Sequence, residues 1–356
     1  MFNDLIDFND LLPSEWETLF ELGLDIYDNP SKYSEYCKGK ILASLFYEPS
    51  TRTNFSFQSA MLRLGGSTIG FSGTSSTSVS KGESLKDTIK IVANYADVIV
   101  IRHPGEGAAY ASSIYSKIPV INAGDGGHLH PTQTMTDLFT VGKLKTKNMT
   151  GLEIGICGDL LYGRTVHSLL KAFSLYSGNT FYFISTPALQ VPEYFVHELR
   201  KNNKIIAADT IEECIDKLDI IYMTRIQRER FASEEEYKKQ AGIYILDKEK
   251  LKKAKDDLTI LHPLPKNDEI ASDIDDNDPR AQYFRQAELG LYIRMALLIK
   301  ILENPKIQVN AKDIENNNTK CANKVCVTNT ENDLPNIVKK SGGELCCAYC
   351  ETGIYL

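Results

Sequence analysis

The 356-residue chain has no apolar run long enough to cross a membrane; its longest apolar stretches are strand-sized. It also lacks a basic excess. Forty Lys and Arg stand against 47 Asp and Glu, a formal net charge of −7, which argues against nucleic acid as a partner. Residues 1–10 hold three Asp and no Lys or Arg, the opposite of a secretory or transit peptide, so a cytoplasmic protein is expected. There is no internal repeat, and little low-complexity sequence beyond a Ser/Thr-rich loop at 73–80, which leaves out solenoid and fibrous architectures. Cysteine is sparse through the first 320 residues, where only Cys37, Cys157 and Cys214 occur. Scattered thiols of that kind read as small buried apolar residues.

What is present is an ordinary globular composition, 42% hydrophobic and 24% charged, at a length suited to two domains and a remainder. Short apolar runs at 41–47, 98–102, 120–123, 152–157, 181–184, 220–224 and 259–261 read as strands. Most are bounded by Gly, Pro, Asn or Asp, and helical patterns separate many of them, which predicts α/β architecture with two doubly wound parallel sheets. A connecting helix is expected over 132–147, a long helix over 280–303, and a polar Asn-rich linker over 304–320.

Six motifs carry chemistry, and each follows a strand. In Pro49-Ser50-Thr51-Arg52-Thr53, the proline ends the strand and Ser50 or Thr51 can cap a helix whose apolar face is Phe55, Phe57, Met61 and Leu64. Backbone N–H groups, three hydroxyls and a guanidinium then converge on one helix start, which suits a phosphate. Caps are the commoner use of Ser-Thr; the arginine inside this one favours an anion. Arg102-His103-Pro104 and His130-Pro131-Thr132-Gln133 occupy strand exits where parallel sheets bind ligands. Gly158 and Gly163 allow a tight turn ahead of Arg164, with a spacing unlike the dinucleotide fingerprint. Arg225 and Gln227 leave another strand, and residues 228–230 read as a solvated charge run. In His262-Pro263-Leu264-Pro265 two prolines predict an extended backbone able to offer carbonyl oxygens to an amine. A cleft between two α/β domains, lined by these arginines, would suit a small polyanion bearing phosphate and carboxylates.

Taken together, these motifs resemble the transcarbamoylase family, in which Ser-Thr-Arg-Thr, Arg-His-Pro, His-Pro-Thr-Gln and His-Pro-Leu-Pro occur in this order. Pro263 and Thr224-Arg225-Ile226-Gln227 resemble its aspartate branch; the ornithine branch carries His-Cys-Leu-Pro and a Ser-Met-Gly loop. The resemblance implies carbamoyl transfer from carbamoyl phosphate to L-aspartate, in pyrimidine synthesis, with no cofactor for catalysis. It implies a carbamoyl-phosphate-binding domain over 1–131, with helix 281–304 packing back on it, and an aspartate-binding domain over 132–280. By matching position, Ser50, Thr51, Arg52 and Thr53 would bind the phosphate. Thr53, Arg102 and His130 would hold the carbonyl oxygen, and Gln133 the carbamoyl NH₂. Arg52, Thr53, Arg102 and His130 would thus be the catalytic set. Arg164, Arg225 and Gln227 would grip the aspartate carboxylates, while Leu264, next to Pro265, presents its carbonyl to the amine. Ser78 and Lys81 match loop residues that enter the neighbouring subunit's site, Lys81 serving both substrates, which implies a homotrimer with shared active sites. Rival readings are a transcarbamoylase with another amine acceptor, and a non-catalytic zinc-dependent assembly protein on the same fold.

Five of the eight cysteines crowd into residues 321–356, beyond a linker over 305–320. Cys321-x₄-Cys326 and Cys347-x₂-Cys350 form two close pairs, a pattern for tetrahedral zinc in a reducing compartment. Cys346 competes with Cys347, and the usual two-residue knuckle spacing favours Cys347. The segment resembles the zinc domain of the family's separate regulatory chain, here fused to the catalytic chain, which implies a structural zinc and higher assembly through this domain. Only residues 304–320 stand where the regulatory nucleotide-binding domain would be, so no CTP or ATP site of that kind is expected.

Overall fold

The structure is a computed structural model that describes residues 2–228, 231, 233–275, 277–304, 306, 319–341 and 344–354. Most of the expected 305–320 linker, and Glu229 and Arg230 of the charge run, lie outside the described residues. The chain divides into two compact units, Met1–Thr132 with Leu291–Leu356, and Gln133–Gly290.

In the first unit, helix α1 (Pro13–Asp28) precedes four parallel strands: β1 (Ile41–Phe46), β2 (Ser67–Ser72), β3 (Val98–His103) and β4 (Val120–Asp125). Helices α2 (Thr51–Arg63), α3 (Leu85–Val92) and α4 (Ala108–Tyr115) make the crossovers. The order in the sheet is β2-β1-β3-β4. The chain builds outward from β1 to β2, then returns to lay β3 and β4 on the other side. Such a reversal leaves a ligand crevice at the carboxyl ends of the two strands that flank it, here β1 and β3. Both are almost wholly buried, as expected where helices cover both faces of a parallel sheet.

Helix α2 turns Thr53, Asn54, Phe57, Ala60 and Met61 inward, three and four residues apart. Phe55, placed on that face from the sequence, is 64% exposed instead. It sits two residues from Phe57, about 200° around the helix, and so cannot share its face.

Helix α5 (Pro131–Leu144) begins in the first unit and leads into the second. There β5 (Glu153–Cys157), α6 (Arg164–Phe173), β6 (Thr180–Ile184), α7 (Glu193–Arg200), β7 (Lys204–Ala208), β8 (Ile220–Met223), α8 (Glu234–Gln240), α9 (Lys248–Leu251) and β9 (Thr259–Leu261) follow. The five parallel strands are ordered β7-β6-β5-β8-β9, so the reversal falls between β5 and β8. Helix α10 (Tyr283–Glu303) returns the chain to the first unit, where Arg294 donates to Ser56 of α2 at 3.0 Å with its guanidinium over the Phe57 ring.

The C-terminal segment comprises a short helix α11 (Val327–Thr330) and an antiparallel hairpin, β10 (Val338–Ser341) and β11 (Glu344–Cys347). Its apolar residues Val327, Leu334 and Tyr349 share one core cluster with Leu85, Ile89, Ala108, Ala109 and Ile114. The segment therefore borrows its core from α3 and α4. All seven strands read from the sequence are present; β2, β7, β10 and β11 were not foreseen. Cys37, Cys157 and Cys214 are buried, and burial pushes the Cys214 thiol up to about 12, in keeping with inert core residues. Among the described residues no helix is long and apolar enough to cross a membrane.

Candidate active site

At the β1 exit, Ser50 occupies the N-cap of α2 but makes no side-chain capping bond, contrary to the capping role expected for it. The first intrahelical bond is from Asn54 N–H to the Ser50 carbonyl at 3.1 Å, so helix geometry leaves the N–H groups of Thr51, Arg52 and Thr53 without intrahelical acceptors. The Asn54 side chain faces the sheet. Its Oδ1 accepts from Ser44 Oγ of β1 at 2.6 Å and from Gln58 Nε2 at 2.7 Å, which fixes the helix start against the strand. Thr53 is buried, while Thr51 and Arg52 are exposed. Partial burial draws the Arg52 guanidinium below its ordinary value, and no ion-pair partner for it occurs among the described residues. Donors and positive charge thus accumulate at the start of α2, the condition for an anion site.

Arg102, the penultimate residue of β3, is in register with Phe46, and its backbone carbonyl accepts from Tyr47 N–H at 2.8 Å. Its Nε lies 2.8 Å from Glu48 Oε1, an ion pair that holds the guanidinium beside the β1 exit. His103, which ends the strand, is half-buried, and desolvation pushes its pKa down to about 4; its Nδ1 accepts from Gly105 N–H at 2.9 Å. Past β4, Asp125 organises the loop that carries His130. Its carboxylate accepts from the N–H groups of Gly107 (2.8 Å) and Leu129 (3.0 Å) and from Asn122 Nδ2 (3.2 Å). His130 is buried, with Nδ1 3.4 Å from Thr132 Oγ1. The structure thus gathers residues 50–53 and Arg102 at the two strands flanking the reversal. Ser78 and Lys81 lie on an exposed 3₁₀ turn after β2 that ends at Gly82 (φ +91°). Among the described residues no hydrogen bond joins their side chains to residues 50–53, 102 or 130.

The second unit repeats this logic at its own reversal. Arg164 opens α6 behind β5, and Arg225 and Gln227 leave β8. One set of bonds ties the two exits together. Asp159 N–H donates to Thr224 Oγ1 (3.0 Å), which donates to the Cys157 carbonyl (2.9 Å), while Gln227 Nε2 donates to the Tyr162 carbonyl (3.0 Å). Gly158 is required here: at φ +114° a Cβ would stand 2.3 Å from the Thr224 carbonyl oxygen. Arg228 is exposed and pairs with Glu234 at 2.7 Å, as a solvated charge would.

Gln133, on the first turn of α5, donates from Nε2 to Asp137 Oδ1 at 2.7 Å, which leaves its Oε1 as the acceptor for an N–H group. Leu264 differs from its sequence expectation. The two prolines predicted extended backbone, but Leu264 has φ +55° and is followed by a cis peptide to Pro265. Its N–H is held by His262 Nδ1 at 2.7 Å, which pulls the chain into the turn. His262 Nε2 lies 2.7 Å from Glu269 Oε1. Burial pushes the Glu269 carboxyl up, but the bond to His262 and bonds from backbone N–H groups outweigh it and hold the carboxyl below its usual range. Glu48, Asp125, Asp137, Asp159 and Glu269 had no role in the sequence reading. Asp137 alone had a local signal, lying four residues beyond Gln133 on the same helix face.

In the C-terminal segment the thiol sulfurs of Cys321, Cys326, Cys347 and Cys350 all lie within 4.8 Å of one another, and all four residues are buried. Cys321 and Cys350 Sγ are 3.6 Å apart, and Cys326 and Cys347 Sγ 3.8 Å. A tetrahedron of thiolates at the zinc–sulfur distance of about 2.3 Å requires sulfurs about 3.8 Å apart. These separations fit that geometry and exceed the roughly 2.05 Å of a disulfide. Cys346 lies outside this group: it precedes Cys347 on β11 and so faces the other side of the strand.

Residues 3–143 match the family model for the aspartate/ornithine carbamoyltransferase carbamoyl-P binding domain, and residues 150–301 that for the Asp/Orn binding domain. The aspartate carbamoyltransferase catalytic subunit of Clostridium botulinum (strain Eklund 17B / Type B) is 57% identical over 300 residues, covering 84% of this chain and 97% of that protein. Among solved structures, the catalytic subunit of M. jannaschii aspartate transcarbamoylase is similar at a TM-score of 0.79 and 43% identity, over 85% of this chain and 98% of that one. The Trypanosoma cruzi aspartate transcarbamoylase in complex with N-(phosphonacetyl)-L-aspartic acid is similar at a TM-score of 0.79 and 34% identity, over 84% and 95%. With two parallel-sheet domains that each place arginines at the strand reversal, this chain belongs to the aspartate/ornithine carbamoyltransferase family, in its aspartate carbamoyltransferase branch.

Proposed function

We propose the following assignment of roles for the reaction of this branch, transfer of the carbamoyl group from carbamoyl phosphate to L-aspartate with release of phosphate. The N–H groups and hydroxyls of Ser50, Thr51 and Thr53, with Arg52, bind the phosphate. Thr53, Arg102 and His130 donate to the carbamoyl oxygen, and Gln133 Oε1 accepts from the carbamoyl NH₂. Arg164, Arg225 and Gln227 hold the two aspartate carboxylates, and the Leu264 carbonyl, set by the turn into Pro265, orients the amine. The amine attacks the carbamoyl carbon, negative charge develops on the oxygen, and phosphate departs with a proton from the amine. No protein nucleophile is needed. Fixing two reactants in line lowers a barrier by as much as about 7–11 kcal/mol. The observation that carries this reading is the start of α2, where N–H groups without intrahelical acceptors and the Arg52 guanidinium converge. The test is phosphate release from carbamoyl phosphate by the purified chain. L-aspartate should support turnover; ornithine should not, and activity with ornithine alone would overturn the reading.

The domain reading follows: 1–131 with 281–304 for carbamoyl phosphate, 132–280 for aspartate, and 321–356 as a fused zinc module. We propose that Cys321, Cys326, Cys347 and Cys350 hold one structural zinc ion, which takes no part in catalysis. We also propose a cytoplasmic homotrimer in which Ser78 and Lys81 serve the neighbouring subunit's site, Lys81 contacting both substrates. Their exposed turn, without bonds to residues 50–53, supports this. Solution mass with and without chelator tests both proposals: a trimer should persist without metal, and any larger assembly should be lost.

A further inference from the structure

We propose that His262 is a positioning residue for aspartate, setting the Leu264 carbonyl through one defined tautomer. The inference rests on the assignment of that carbonyl to the substrate amine. His262 is 2% exposed, and three bonds fix it. Its backbone N–H donates to Gln286 Oε1 at 3.0 Å, its Nδ1 accepts from Leu264 N–H at 2.7 Å, and its Nε2 lies 2.7 Å from Glu269 Oε1. A ring nitrogen that accepts a backbone N–H carries no proton, so the ring hydrogen belongs on Nε2 and points at the Glu269 carboxylate. Glu269 is itself fixed, accepting from Asn267 N–H with both oxygens at 3.1 Å. The acid therefore selects the tautomer, and the tautomer bends the chain at Leu264 to φ +55°, a conformation that a leucine before proline rarely adopts unaided.

The same bonds continue to the carbamoyl end. Gln286 Nε2 donates to Asp137 Oδ1 at 2.6 Å, and that oxygen also accepts from Gln133 Nε2 at 2.7 Å. Tyr222 Oη holds the other oxygen at 2.9 Å. Asp137 and Gln286 are buried, so a continuous chain of hydrogen bonds, buried at its centre and part-buried at its two ends, runs from Gln133 to Leu264. It fixes the two side-chain amides so that Gln133 presents Oε1 and Gln286 presents Oε1 to His262.

Two substitutions separate positioning from packing. In His262→Asn the amide oxygen takes the place of Nδ1 and still accepts from Leu264 N–H. In His262→Gln the amide reaches the place of Nε2 and Glu269, but the acceptor for Leu264 is lost. We expect His262→Gln to raise the aspartate KM about tenfold or more, and His262→Asn to stay within about threefold of the parent, the carbamoyl phosphate KM changing little in either. Equal effects of the two variants overturn the proposal. Should neither variant fold, ¹⁵N spectra of the unaltered enzyme decide: a proton on His262 Nε2 is expected, and one on Nδ1 overturns the proposal. Arg225→Ala serves as the control for the site itself. If it leaves the aspartate KM unchanged, the aspartate-site assignment fails, whatever the His262 variants do.

Discussion

His128 stands between two carboxylates from distant parts of the chain, its Nδ1 3.2 Å from Asp125 Oδ2 and its Nε2 3.5 Å from Glu351 Oε2. Asp125 organises the loop that carries His130, and Glu351 directly follows the last clustered cysteine and pairs with Lys339 at 2.9 Å. The imidazole thus ties the C-terminal segment to the β4 exit. Burial opposes its charge, but the two carboxylates outweigh burial and push its pKa up to about 10. A group raised above its unfolded value contributes stability in full below that value and loses it as pH rises through the folded one. The tie should therefore weaken from about pH 6.5 up to about 10. Over this window we expect the melting temperature of the parent to fall more steeply than that of His128→Gln, by scanning calorimetry at fixed ionic strength. Parallel curves would show that this ion pair contributes nothing.

The four clustered thiols are buried beside a core that α3 and α4 share with the C-terminal segment. Val327 N–H donates to the Glu106 carbonyl at 2.9 Å, and Glu106 N–H to the Val325 carbonyl at 3.0 Å, so the segment docks as an added strand-like edge. A bound metal would hold this short piece closed, since its own apolar residues are few. We expect one zinc per chain, lost in Cys347→Ser and retained in Cys346→Ser, by elemental analysis of desalted protein. Metal loss should destabilise the segment by more than about 4 kcal/mol and open it to proteolysis after the linker. Equal zinc content in both serine variants would contradict the assignment of Cys347.

Gly107 tests how closely that segment is seated. It has φ +84°, and an added Cβ would lie 2.4 Å from Tyr349 Cβ and 2.7 Å from the Tyr349 backbone. Gly82 has a similar φ of +91° with nothing within 4 Å of an added Cβ. Both alanine variants carry the backbone penalty, about 1 kcal/mol, and only Gly107→Ala adds the clash. We expect Gly107→Ala to cost about 2 kcal/mol more than Gly82→Ala in urea denaturation. Equal costs would show that Tyr349 is not seated against this turn.

The central strands were legible because helices cover both faces of each sheet, making β1, β3, β5 and β8 nearly continuous apolar runs. The edge strands β2 and β7 carry exposed residues and, in β2, Gly70, so no such run marks them. The site arginines were legible for a related reason: each leaves a strand that could be recognised. Their carboxylate partners were not. Glu48 reaches Arg102 only because β1 and β3 lie side by side, a pairing 54 residues apart that local pattern does not encode. Leu264 shows the opposite failure. The proline rule is a local preference, and a bond from its N–H to His262 overrides it.

Arg52 and Arg225 should fail differently, because one faces the leaving group and the other the acceptor. Arg52 stands among N–H groups that helix geometry leaves without intrahelical acceptors, where charge grows as phosphate departs. Its exposed position means that the fold does not depend on it. Arg52→Ala should lower kcat by about 10²–10³ or more with an unchanged melting temperature. Arg225 sits at the β8 exit, next to Thr224, whose hydroxyl is fixed between Asp159 N–H and the Cys157 carbonyl. A charged hydrogen bond to a substrate carboxylate contributes about 1.5–3 kcal/mol, so Arg225→Ala should raise the aspartate KM roughly 10–150-fold while carbamoyl phosphate still binds. Steady-state kinetics with each substrate varied in turn separates the two. A kcat defect in Arg225→Ala with an unchanged aspartate KM would move that arginine from substrate binding to the stabilisation of developing charge.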